Sequence, residues 1–146
     1  MNGVSYSAAD ISASGMMAER HRMEVIANNI ANAYTTRTDA GGPYRRQQVI
    51  FAAALDAQGS GSSSAAGGMR GVEILGVEED QSELQLISNP DHPDADENGM
   101  VAMPNVKIPN EMVDLITASR AYEANLKALK NFREMAEQTL SLIRGG

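Results

Sequence analysis

Ten positions toward the C-terminus constrain this chain more than anything else in it. Positions 112, 115, 119, 122, 126, 129, 133, 136, 140 and 143 are spaced alternately three and four apart, and they read Met, Leu, Ser, Tyr, Leu, Leu, Arg, Ala, Leu and Ile. Eight of the ten are apolar, which makes a heptad seam sustained over more than four heptads. Pro109-Asn110 suits a first helical turn and Gly145-Gly146 a stop, so the spacing predicts one long helix over about residues 109–144.

The other end of the chain reads in the same way with less force. From about Ser7 to Asn32, Ile11, Met16, Met23, Ile26, Ala27 and Ile30 recur at helical spacing as one apolar stripe, with Arg20, Arg22 and Glu24 off it. Gly15 costs helix stability, and Asn28, Asn29 and Asn32 favour a helix end, so the helix is expected to stop near Asn32 or Ala33 and to be marginal alone.

Between the helices the β signals are short. Gly41-Gly42-Pro43 punctuates the start of an alternating run from Tyr44 to Leu55. Residues 56–68 are Gly, Ser and Ala with a single charge and read as a flexible linker. Val72, Ile74, Leu75 and Val77, then Leu84 and Leu86, suggest two further short strands in hairpins, and Met100 to Met103 another after a Pro- and Asp-rich loop. The expected fold is mainly α: long N- and C-terminal helices packed as a coiled-coil-like pair, with a small β-hairpin region and a flexible loop between. Residues 1–35 and 107–146 form the helical part, and 36–106 the middle.

Charge divides along the same lines. The net charge is −7, yet residues 51–106 hold ten acidic groups and one basic group, while 1–50 carry five basic and four acidic and 107–146 six and five. An acidic chain argues against a nucleic-acid partner. The nearly neutral helices have little β core to cover them, so their stripes are expected to bury against each other or against other copies.

Catalytic and metal chemistry find little footing. No cysteine is present, which removes thiolate nucleophiles and sulfur-ligated zinc, and His21 and His92 are far apart in sequence. Asp94-Ala95-Asp96-Glu97-Asn98-Gly99 matches the first half of a calcium loop, but Ala102 and Asn105 stand at its ninth and twelfth positions, and Pro93 and Pro104 oppose flanking helices. A calcium-binding adaptor built on Asp94–Asn98 is therefore the alternative reading, beside a plain solvated turn. His92 with Asp91 and Asp94 lacks a second metal ligand, and Ser60–Ser64 lies in a linker that cannot preorganise a nucleophile. No nucleotide-binding or hydrolase fingerprint occurs, so no catalytic residue, cofactor or small-molecule substrate is expected. Arg45 and Arg46 read as solvated charge on an edge strand, with anion binding or a contact to a neighbouring subunit as the other choices. Met16, Met23 and Met112 read as core, with part of that core between molecules. The N-terminus has no basic start followed by an apolar run, and no stretch reaches the roughly 20 apolar residues of a membrane helix.

Asn28-Asn29-Ile30-Ala31-Asn32, Thr35-Thr36-Arg37 and Gly41-Gly42-Pro43-Tyr44-Arg45-Arg46 resemble the flagellar basal-body rod proteins. The segments Asn89 to Gly99, Met103-Pro104-Asn105-Val106, Glu111 to Asp114 and Ser119 to Asn125 are similar to the proximal-rod type in particular. The resemblance covers nearly the whole chain except 56–68. It implies a structural subunit that leaves through the flagellar type III export apparatus without a cleaved signal peptide. Such a subunit joins copies of itself and other rod proteins in the shaft that spans the periplasm and carries torque from motor to hook. Terminal helices of many copies pack there as a tube. The residues expected at subunit packing are Met16, Met23, Ile26, Asn29, Ile30 and Asn32 in the first helix, and Met112, Leu115, Tyr122, Leu126, Leu129, Leu140 and Ile143 in the second.

Overall fold

A computed structural model describes residues 8–55 and 69–144. The linker expected at 56–68, the helix start at Ser7 and the glycine stop at Gly145-Gly146 lie outside the described residues. The elements run α1 (Ala8–Ala31), β1 (Gln47–Leu55), β2 (Met69–Glu79), β3 (Gln85–Ser88), β4 (Met100–Met103) and α2 (Ile108–Arg144). Among the described residues, α1 ends at Ala31, within two residues of the expected stop, and α2 begins at Ile108, one residue before the expected start. The first strand starts three residues later than Tyr44: the Tyr44 N–H donates to Thr35 O and the Arg46 N–H to Asn105 Oδ1. β1 forms a two-stranded sheet with β2, and β3 with β4.

The described residues fall into two compact units, each of which draws on both helices. One takes α1 as far as Arg20, the strand residues between Phe51 and Leu75, and α2 from Ala118 onward. Its core is built from small side chains: Ser12 and Ala18 are buried, and Ala118 is 0% exposed. Gly15 sits between Ser12 and Ala18 on the same face, where an added Cβ would stand 3.0 Å from Asn125 Nδ2. The glycine that weakens α1 as an isolated helix thus lets it approach Asn125 closely, and backbone proximity replaces large apolar side chains. At the start of β2, Val72 N donates to Ser14 Oγ at 3.1 Å, and Gly71 holds φ at 113° beside the same hydroxyl.

The second unit contains α1 from His21, the loop to β1, the end of β2, the β3–β4 hairpin and the first turns of α2. Val25, Ile26, Ala33 and Val101 form its apolar core. The hairpin is antiparallel, with Gln85 opposite Met103 and Ser88 opposite Met100. Its loop is closed by the bond from Asn89 N to Gly99 O at 2.9 Å, and by Asp96 Oδ1, which accepts from Asn98 N at 2.9 Å and Met100 N at 2.8 Å. Gly99 turns the chain with φ at 72°.

On α2 the burial pattern departs from the expected seam. Leu115, Tyr122, Leu126 and Leu129 are half-buried as the spacing suggests, but the best-buried positions are Glu111 and Ala118, each one residue before its seam neighbour. Met112 is 54% exposed, Leu140 60% and Ile143 73%. The intrachain surface is narrow and accepts small or polar side chains, so the helix turns its bulkier residues outward. From Asn131 to Arg144 every residue is exposed.

Candidate assembly surface and the buried polar lock

Beneath the exposed face of the second unit lies a polar centre that joins four segments of chain. Asn29, in the last turns of α1, is 0% exposed and makes all four of its side-chain hydrogen bonds. Its Oδ1 accepts from Tyr44 OH at 2.9 Å and Gln47 N at 2.9 Å. Its Nδ2 donates to Gln47 O at 2.8 Å and to Glu111 Oε2 at 2.9 Å. Gln47 contributes both an N–H and a C=O, so the amide has one orientation that satisfies every partner.

Glu111, in the first turn of α2, is 1% exposed, and its other oxygen accepts from Arg46 Nε at 2.6 Å. The Arg46 guanidinium also reaches Asp114 Oδ2 at 3.4 Å and Asp80 Oδ2 at 3.9 Å, and Arg22 approaches Asp114 Oδ1 at 3.8 Å. Asn105 completes the frame: its Oδ1 accepts from Arg46 N at 2.7 Å, and its Nδ2 donates to Asp80 O and Ser82 Oγ, both at 2.9 Å. Arg45 Nη1 lies 3.3 Å from the carbonyls of Asp80 and Ser82. Reading Arg45 and Arg46 as solvated edge charge therefore fails, because both are committed to partners within the chain.

The electrostatics follow this geometry. Asp80 is held below the usual carboxylate range, first by hydrogen bonds from the Ser82 backbone and hydroxyl, then by Arg46 and Arg45. Tyr44 is pushed above the ordinary phenol value by its burial, then by the Glu111 and Glu79 carboxylates. A polar cleft of about 270 Å³ opens at Arg46, Asp80, Asn105 and Asp114, and a groove of about 420 Å³ is lined by Tyr34, Ile87, Met103 and Val106.

The half-loop that resembles a calcium site is occupied by structural work. Asp94 Oδ2 accepts from Thr36 Oγ1 at 2.8 Å, Arg37 lies 3.6 Å from Asp94 Oδ1, and Asp94 N donates to His92 Nδ1 at 3.1 Å. Asp96 caps the turn into β4, and among the described residues no group of three or more His, Cys, Asp or Glu is placed to hold a metal ion.

The expected packing residues divide into three sets. Ile26 and Asn29 are buried within the chain. Met16, Met23, Ile30, Asn32, Leu115, Tyr122, Leu126 and Leu129 are half-buried. Met112, Leu140 and Ile143 stand open to solvent, joined by Val113 and Ile116 near the start of α2 and by Phe132, Met135 and Leu142 toward its end. Sequence reasoning places Asn29 at a helix end and among the packing residues, and meets Tyr44, Asn105 and Glu111 only as parts of motifs, with no buried polar role for any of them. A glutamate where the apolar row of α2 begins, and an asparagine three residues after Ile26, were the available signals. No helix among the described residues is long and apolar enough to cross a membrane.

Comparison with known proteins matches both ends of the chain to rod proteins. The family described as "Flagella basal body rod protein" matches residues 10–37, and "Flagellar basal body rod FlgEFG protein C-terminal" matches 97–142. The chain is 40% identical to the flagellar basal-body rod protein FlgC of Borreliella burgdorferi, over 96% of this chain and 98% of that one. It is 39% identical to FlgC of Salmonella typhimurium, over 91% and 93%, and 37% identical to FlgC of Bacillus subtilis, over 94% and 97%. The chain belongs to the FlgC family of flagellar basal-body rod proteins.

Proposed function

We propose that this protein is a structural axial subunit of the flagellar basal-body rod, which assembles through its two terminal helices with copies of itself and with other rod proteins to form a torque-bearing shaft across the periplasm. Family membership over nearly the full chain supports the rod assignment. The observation that carries the assembly mode is the last part of α2, where Phe132, Met135, Leu140, Leu142 and Ile143 are exposed on a helix that has no covering element from Asn131 onward among the described residues. Burial of such residues against neighbouring helices is worth roughly 1.5–3 kcal/mol for each large side chain. The half-buried residues Met16, Met23, Ile30, Asn32, Leu115, Tyr122, Leu126 and Leu129 are proposed to take part in subunit packing as well.

The reading also places the chain among substrates of the flagellar type III export apparatus, without a cleaved leader, and assigns it no catalytic residue, cofactor or nucleic-acid partner. Its second unit brings together residues 82 apart in the chain, Asn29 and Glu111, so that unit closes only when both ends are present together. This supports folding after passage through a narrow channel rather than before it.

The test is the double substitution Leu140→Glu with Ile143→Glu. It should leave circular dichroism and urea unfolding of the isolated chain unchanged while abolishing rod incorporation and motility in a bacterium that lacks its own relative. Normal motility of that strain would defeat the proposed assembly mode.

A further inference from the structure

Asn29, Arg46 and Glu111 form the costliest part of the second unit to build. Two of the three are fully or almost fully buried, and a buried ion pair is often matched or exceeded in stability by apolar residues of similar volume. Net stability is therefore a poor account of why they stand in the middle of a helix contact. What the three supply is direction. Every polar atom of the Asn29 side chain and both oxygens of Glu111 are used, and they are used in one geometry.

The apolar contacts around them are far less selective. Val25, Ile26 and Ile30 on α1, and Ile108 and Leu115 on α2, recur at spacings that would meet comparable partners after a slip of one helical turn. Such a slip moves the contact by about 5–6 Å along the axis. It would carry Glu111 away from the Nδ2 of Asn29 and the Nε of Arg46, leaving a carboxylate buried with no donor. In this unit the slipped arrangement loses the polar match.

We infer that the Asn29–Glu111–Arg46 lock is a register device: it selects one alignment of α1 against α2 in this unit and adds little to net stability. The inference is independent of the rod reading, because it concerns the isolated chain.

The absence of cysteine makes it directly measurable, since spin labels can be placed at Ala27→Cys and Val113→Cys, both exposed in the parent protein, without competing thiols. The labelled parent should give a single narrow distance. Replacing the ion pair by Arg46→Met with Glu111→Leu, while Asn29 keeps its bonds to Gln47 and Tyr44, should leave the urea midpoint no lower than the parent's and split the distance into populations about 5–6 Å apart. A single unchanged distance in that variant would show that packing alone sets the register. A lowered midpoint or failure to fold would show that the lock is chiefly a source of stability. Either result overturns the inference. The neutral pair Arg46→Gln with Glu111→Gln, which retains hydrogen-bonding groups, should keep the single distance. Splitting or loss of fold in this second variant would assign the effect to the ionic charges of the pair and overturn the directional account.

Discussion

Arg46 and Glu111 are unequal partners, because Glu111 is 1% exposed while the Arg46 side chain is 23% exposed and has Asp114 and Asp80 within reach. Arg46→Met strands a carboxylate in the interior and should cost about 3–5 kcal/mol in urea unfolding, whereas Glu111→Gln leaves a guanidinium that reaches water and two other carboxylates, and should cost about 1–2 kcal/mol. Equal losses would mean that the interior is wetter than the geometry indicates. Tyr44 tests the same centre through pH. Its folded pKa lies above that of the unfolded chain, so its contribution is complete below the unfolded value near 10.0 and is lost as pH rises through the higher folded value. Absorbance titration should show a tyrosine ionisation above the ordinary phenol range, and Tyr44→Phe should remove that step at a cost of about 1 kcal/mol, since Asn29 Oδ1 keeps its bond from Gln47 N. Gly71 marks a different constraint. With φ at 113° and the Ser14 hydroxyl directly beside it, Gly71→Ala combines a disfavoured backbone with a steric clash, and thermal unfolding should show a loss of about 1–3 kcal/mol.

The long element α2 serves two purposes along its length, and the heptad seam does not distinguish them. Leu126 and Leu129 are half-buried inside one compact unit, so a charge at either position damages the isolated fold as well as any assembly. Leu140 and Ile143 continue the same spacing into turns where every residue is exposed. Charge there should change unfolding by no more than about 0.5 kcal/mol, while amides between Asn131 and Arg144 should exchange quickly in the isolated chain and become protected once it assembles. Rapid exchange that persists after assembly would remove this segment from the interface. The existence of both helices, the end of α1 and the start of α2 to within two residues, and the four strands were legible from periodicity, Gly-Pro punctuation and capping. What periodicity could not indicate is which side of each seam the chain covers itself. That choice depends on Gly15 admitting Asn125, on Ala118, and on the polar pair Asn29 and Glu111. A scale that rewards large apolar side chains scores these as breaks in the pattern, although they are the points of closest packing. The arginines at 45 and 46 misled for a related reason: charge beside a Gly-Pro turn is usually solvated, and only the tertiary arrival of Glu111 and Asn105 makes it structural.

For the whole molecule the uneven charge becomes a statement about association. Copies related by repetition bring equivalent surfaces to equivalent positions, so the ten acidic and one basic groups of residues 51–106 face the same set on a neighbour wherever the middle regions approach. The helices, which carry the exposed apolar residues, are nearly neutral and oppose association little. Screening should then decide how readily copies join. The Debye length grows from about 8 Å at 0.15 M salt to about 30 Å at 0.01 M, enough to extend repulsion between middle regions across a gap that ordinary salt would close. Self-association of the purified chain, followed by sedimentation, should weaken across that range as salt is removed. Replacing the exposed Glu73, Glu78 and Glu83 by Gln should flatten the dependence while leaving urea unfolding within about 0.5 kcal/mol of the parent. If the salt slope survives the three substitutions, the repulsion arises elsewhere, and the acidic middle regions stand apart from one another in the assembly. If the slope is lost, these regions lie within a screening length of each other, and their separation is set by the helices that hold the copies together.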